Sequence, residues 1–141
     1  PAKMLIDYKI WCFGGVPESV LVVYDRNGED YKLSVFDLKW NNISEKTIRT
    51  DSPHYGGADV PRPVSFDEMM DAAKKLSKGF PEVRVDFYDI DGRPFFGELT
   101  FSTGYGYFTD EYYSYLGSKV NIESVERIST DEIISAIKLD K

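Results

Sequence analysis

One cysteine and one histidine are all that this 141-residue chain offers to thiol or soft-metal chemistry. A lone Cys12 closes no internal disulfide and makes no cysteine zinc site, which fits a reducing compartment. It sits in the apolar run KIWCF, where a small core residue is the expected role. His54 lies in the loop-like DSPHYGG, far from Cys12, and it also reads as structural rather than as half of a catalytic pair. Long apolar runs are missing too. No stretch spans a bilayer, and PAKMLIDYK lacks the apolar core of a signal peptide, so a cytoplasmic protein without a membrane span is expected. Positive charge is in short supply, with 17 Lys and Arg against 24 Asp and Glu and a net charge of -7. That balance argues against nucleic-acid binding and favours a basic ligand or an anionic one escorted by metal.

What is present is core material. At 42% hydrophobic and 15% aromatic, the chain reads as one ordered domain over residues 1–141. LIDYKIWCF, SVLVVYDR and YKLSVFDLKW are three strand candidates, separated by turns at Gly14-Gly15-Val16-Pro17 and Arg26-Asn27-Gly28-Glu29. Connections this short imply an antiparallel meander. Alternation places Asp7 and Lys9 on one face of the first strand. A strand already under way at Met4 suggests a piece of a larger fold. Residues 41–64 form a long connection of the kind that is functional or mobile.

SFDEMMDAAKKLSKGFP predicts a helix. Ser65 and Glu68 have capping-box spacing, Met69, Ala72, Ala73 and Leu76 form an apolar stripe, and Gly79 and Pro81 end it. Further helices are expected after Thr109 and over about 130–139. The fold class is therefore α+β, an antiparallel sheet with helices packed on it.

The segment VRVDFYDIDGRPFFGELTF, Val83 to Phe101, is a hairpin with charges inside its strands. A two-residue turn at Asp91-Gly92 pairs Phe87 with Phe96 and Val85 with Glu98, which mixes apolar and charged residues. A three-residue turn through Arg93 pairs Asp86 with Glu98. It sorts Val83, Val85, Phe87, Phe95, Leu99 and Phe101 from Arg84, Asp86, Tyr88, Phe96, Glu98 and Thr100, and is preferred because the buried face sets register. Two carboxylates facing each other call for a positive partner. Arg84 on the same face answers that need, and so does a magnesium ion bound to phosphates.

The order DYKIWCF, a strand ending YDR, VFDLKW, DEMMDAAKKLSKGFP and VRVDFYDIDGRPFFGELTF with a Gly-rich loop after it resembles the TupA-like ATP-grasp family. That family is tied to cell-surface polysaccharide synthesis, and its members are often labelled glycosyltransferases. The resemblance covers about residues 5–120, as the C-terminal lobe of an ATP-grasp fold, and leaves 121–141 as a helical extension. It implies ATP and magnesium as cofactors, with Asp86 and Glu98 as metal ligands and Arg84 and Lys9 facing phosphates or an acyl phosphate. Thr100 stands where the wider ATP-grasp pattern has Asn, a weaker neutral ligand, and Gly104 lies in the loop whose amides would hold an anion. The implied reaction is ATP-dependent joining of a carboxylate to an amine, on a carbohydrate-linked or amino-acid substrate. Because such enzymes hold nucleotide between two sheets, the resemblance also implies half an active site, inactive by itself. A missing N-terminal lobe would complete it, and a homo-oligomer is expected to cover the sheet surface that such a lobe would have met. Two alternatives are a noncatalytic remnant or binding module, and a nucleotide-sugar transferase that stacks sugars on Tyr105, Tyr107, Tyr112, Tyr113 and Tyr115.

Overall fold

The computed structural model describes residues 5–124 and 131. Three strands, β1 (Asp7–Phe13), β2 (Val16–Asn27) and β3 (Asp30–Phe36), form the expected meander. The chain then runs through a short helix α1 (Ser44–Thr47) and a longer one, α2 (Phe66–Ser77). It returns as the hairpin β4 (Val83–Ile90) and β5 (Arg93–Thr100) and runs on through α3 (Asp110–Ser118) and a 3-10 turn at Ile122–Ser124. The five strands make one antiparallel sheet in the order β3-β2-β1-β4-β5. The expected helix over about 130–139 lies, but for Asp131, outside the described residues.

Period-two alternation splits the strands between two cores. Tyr8, Ile10, Cys12, Val20, Val22, Val83, Val85 and Phe87 point to one face, which α2 covers with Phe66, Met69 and Ala73. Trp11, Phe13, Leu21, Val23, Leu33 and Val35 point to the other, beneath Ile48, Phe108, Tyr112 and Leu116. Burial pushes the Cys12 thiol up to about 11, as befits an inert core residue. Thr109 caps α3, its hydroxyl accepting from the Tyr112 amide, as expected for a helix starting there.

Two details of α2 differ from expectation. Ser65 makes no side-chain cap. Its hydroxyl and amide both donate to Asp89 Oδ2, at 2.7 and 3.0 Å, so a carboxylate on β4 outcompetes the helix's own amides for that hydroxyl. Leu76 is exposed, and Ser77 takes the buried position in its place.

The β4–β5 hairpin corrects the register. The turn is the two-residue one, with Asp91 and Gly92 both at positive φ (54° and 75°) and Ile90 paired with Arg93. Phe87 accordingly faces Phe96 and Tyr88 faces Phe95, so Phe96 lies on the α2 face and Phe95 on the other, the reverse of the expectation. A bulge between Asp86 and Phe87 then absorbs Gly97 and sets Asp86 opposite Glu98 all the same. Glycine is suited there, because a Cβ would lie 3.2 Å from the Asp86 carbonyl oxygen and 3.3 Å from the Tyr88 ring.

Candidate functional site

Where α1 and α3 stop covering the second face, the side chains become ionisable. β1 contributes Asp7 and Lys9, and β4 contributes Arg84 and Asp86, with Lys9 directly across from Asp86 in the ladder. The Arg84 guanidinium grips Asp86 through two bonds of 2.8 Å, Nε to Oδ1 and Nη2 to Oδ2. Lys9 Nζ donates to the same Oδ2 and lies 3.6 Å from Asp7. Asp7 in turn accepts from Arg26 at 3.0 Å. Arg84 and Asp86 are 8% and 4% exposed, so this is a buried ion pair whose members depend on one another. Burial opposes the charge of Arg84, but the Asp86 carboxylate more than offsets it and holds the guanidinium above its ordinary range.

The chain of contacts Arg26–Asp7–Lys9–Asp86–Arg84 holds three cations against two carboxylates. Within a protein of net charge -7, it is a local positive excess. The repulsion expected between Asp86 and Glu98 is thereby outweighed. Both Arg84 and Lys9 neutralise Asp86, while Glu98 stands exposed on the edge strand. Thr100 accepts from Arg84 Nη2 at 3.1 Å, and so steadies the guanidinium.

An open cleft of about 710 Å³ lies over this face, lined by Asp7, Lys9, Arg26, Asp86, Tyr88 and Glu98 among others. A smaller cavity of about 220 Å³ adjoins it, and Lys9 and Arg26 line both. Arg84, Gly104 and Tyr107 border only the smaller one. Burial pushes the Tyr107 phenol up to about 12 against the lowering pull of Arg84, so it stays a neutral donor at physiological pH. Of the residues expected at the site, Lys9, Arg84, Asp86, Glu98 and Thr100 come together on one face, and Gly104 meets them at the smaller cavity.

Sequence reasoning missed Arg26, which it placed in a turn. β2 continues through Asn27, and a bulge between Tyr24 and Asn27, with Asp25 at φ 50°, sets Arg26 on the face of Tyr31 and Asp7. Nothing in strict alternation announces such a bulge. His54 stacks flat on Tyr31, ring centres 3.9 Å apart, and takes no part in the cleft lining.

Magnesium is held by hard oxygen donors, commonly one or two carboxylates completed by phosphate oxygens and water. Asp86 and Glu98, cross-strand neighbours lining one cleft, fit that donor set. Among the described residues no group of three or more His, Cys, Asp or Glu is placed to hold a metal, so the ion would need oxygens from its ligand. No helix of the described residues is long and apolar enough to cross a membrane. Neither a curated protein nor a solved structure matches the chain. A protein-family model does, that of the TupA-like ATPgrasp, over residues 1–121, and the chain belongs to that family.

Proposed function

We propose that the charged face of β1, β4 and β5 binds magnesium-ATP for the activation of a carboxylate, in the synthesis of a cell-surface polysaccharide, within the cytoplasm. The observation that carries this reading is the buried Arg84–Asp86 pair, joined by Lys9 and set opposite Glu98 over a cleft of about 710 Å³. The family supports an ATP-grasp function in general terms. Asp86 and Glu98 would hold magnesium, which supplies charge neutralisation to the polyphosphate. Lys9, which lines both spaces, would offer fixed positive charge to the transferring phosphoryl group, and Arg84 would support it from the adjoining smaller cavity that Gly104 also borders.

The chemistry is a two-step condensation. A carboxylate oxygen attacks the γ-phosphorus, and the bond from that phosphorus to the β–γ bridging oxygen breaks. ADP leaves and an acyl phosphate remains. An amine nitrogen then attacks the acyl carbon, inorganic phosphate departs and the nitrogen loses a proton to give the amide. The protein's part is placement and charge, with Lys9 and Arg84 already fixed by Asp86 before ligand arrives. A carbohydrate-linked or amino-acid acceptor, and completion of the cleft by a further lobe or a second copy of the chain, belong to the same reading. A second reading, transfer from a nucleotide sugar, draws on the exposed Tyr105 stacked on Tyr113 at 4.9 Å.

Calorimetric titration tests the first reading. Magnesium alone gives little heat, because Arg84 and Lys9 already neutralise Asp86 and no phosphate oxygens complete the ion's shell. Magnesium-ATP binds, with the lower affinity of a cleft not yet completed, and Glu98→Gln weakens it at least tenfold. Undiminished binding in Glu98→Gln would remove Glu98 from the metal site.

A further inference from the structure

The smaller cavity is chemically unlike the cleft beside it. Its floor is apolar, made of Leu21, Val23 and Leu33, while Lys9, Arg26 and Arg84 stand around it. Its volume of about 220 Å³ corresponds to roughly seven waters at the liquid's ~30 Å³ each, too small for a nucleotide and suited to a molecule of amino-acid size. An apolar floor under cationic groups matches an amphipathic anion, with its body on the leucines and its charge at the guanidinium groups. A naked phosphate has no use for such a floor.

Arg26 is distinct among the three cations. Lys9 and Arg84 are both bound to Asp86, whereas Arg26 bonds Asp7 and keeps its side chain 49% exposed. A positively twisted, non-glycine bulge residue, Asp25 at φ 50°, brings it onto this face. With unbroken alternation from Tyr24, which lies on the α2 face, Arg26 would fall on that face too. Bulges of this kind re-aim single side chains beside functional sites, and strained backbone clusters there. Arg26 and Lys9 also line both spaces, so a carboxylate held in the smaller one sits against any phosphate in the larger one across that pair.

We propose that the smaller cavity is the subsite for a small organic acid with an apolar body, and that Arg26 is the residue that selects its carboxylate. The inference rests on the carboxylate-activating reading of the cleft and names the acid's size and character. On binding, the acid takes over Arg26 from Asp7, and the planar fork of the guanidinium grips both carboxylate oxygens. Lysine at this position offers a point charge without the fork.

Butyrate and its neutral isostere butyramide serve as probes, titrated into the protein while its proton–nitrogen correlation spectrum is followed. Butyrate should shift the amides of Val23, Tyr31 and Gly104, and butyramide should not. Arg26→Gln should weaken butyrate at least tenfold, Arg26→Lys should recover part of the loss, and Glu98→Gln should leave butyrate binding intact while weakening magnesium-ATP. Equal binding of butyramide would reduce the cavity to an apolar hole and overturn the proposal. So would unchanged butyrate affinity in Arg26→Gln, or displacement of butyrate by inorganic phosphate at lower concentration, which would make this a phosphate site. Butyrate binding together with a flat magnesium-ATP titration would defeat the ligase reading and uphold the subsite; the converse pattern would defeat the subsite alone.

Discussion

β1 and β4 show opposite characters on their two sides. Towards α2 they present Tyr8, Ile10, Cys12, Val83, Val85 and Phe87, an almost wholly apolar surface under a helix. On the other side the same strands present Trp11 and Phe13 to the second core and, beyond its cover, Asp7, Lys9, Arg84 and Asp86, three of these four buried and all ion-paired. A sheet that needed only stability would carry apolar residues at such positions, since buried ion pairs rarely outdo well-packed hydrophobic replacements. The difference separates two tasks within single strands. One face of these strands serves the fold alone, and the other, past its own core, keeps charge fixed where a ligand can meet it.

The comparison breaks first at the helix-covered face. Phe66 is 1% exposed and packs on Trp40 at 5.0 Å. Phe66→Ala should cost about 3–5 kcal/mol in denaturant unfolding, whereas Glu98→Gln, exposed and on the open side, should leave stability nearly unchanged. Similar losses in the two would mean that the faces do not differ as described.

The next test sharpens the reading of the charged face. Arg84→Met strands the buried Asp86 with Lys9 as its remaining close cation, and should cost about 3 kcal/mol. Adding Asp86→Leu should recover much of that loss while leaving magnesium-ATP binding abolished. A double variant that stays as unstable as the single one would show that the ion pair serves the fold itself.

The smallest effects lie at the two ends of α2. Ser65→Ala removes a hydroxyl bond to the Asp89 carboxylate and should cost about 1–2 kcal/mol. Ser77→Ala should cost nothing measurable, because its buried hydroxyl has no conventional hydrogen-bond partner and only the Cys12 thiol beside it. Equal losses at both positions would mean that Ser65 does not tie the helix to β4.

These cases also mark how far local reasoning reaches. Alternation placed Asp7 with Lys9 in DYKIWCF and Arg84 with Asp86 in VRVDFY, each pair on one face of its own strand, whereas the pairing of β1 with β4 that brings the two pairs together spans 77 residues from Lys9 to Asp86. The pairing of Asp86 with Glu98 was legible from hydrophobic sorting, but by the wrong route. The two-residue turn dictated by Asp91-Gly92 governs the pairing up to Phe96, the sorting of the faces holds from Glu98 to Thr100, and the bulge at Gly97 joins the two. Phe95 and Phe96 were assigned to the wrong faces for the same reason. Arg26 was hidden by a second bulge, and Ser65 by a partner 24 residues away. Both depend on contacts between strands and helix that no short window of sequence contains.

The central claim is that nucleotide meets the charged face and not the helix-covered one. Proton–nitrogen correlation spectra recorded while magnesium-ATP is added test it directly, since both faces report in one experiment. The amides of Lys9, Arg84, Asp86, Glu98 and Thr100 should move together and saturate at one concentration, while those of Met69, Ala73 and the rest of α2 stay in place. Saturable shifts confined to α2, or to the separate groove that Pro61, Pro63 and Val64 line beside Ile90, would contradict the account.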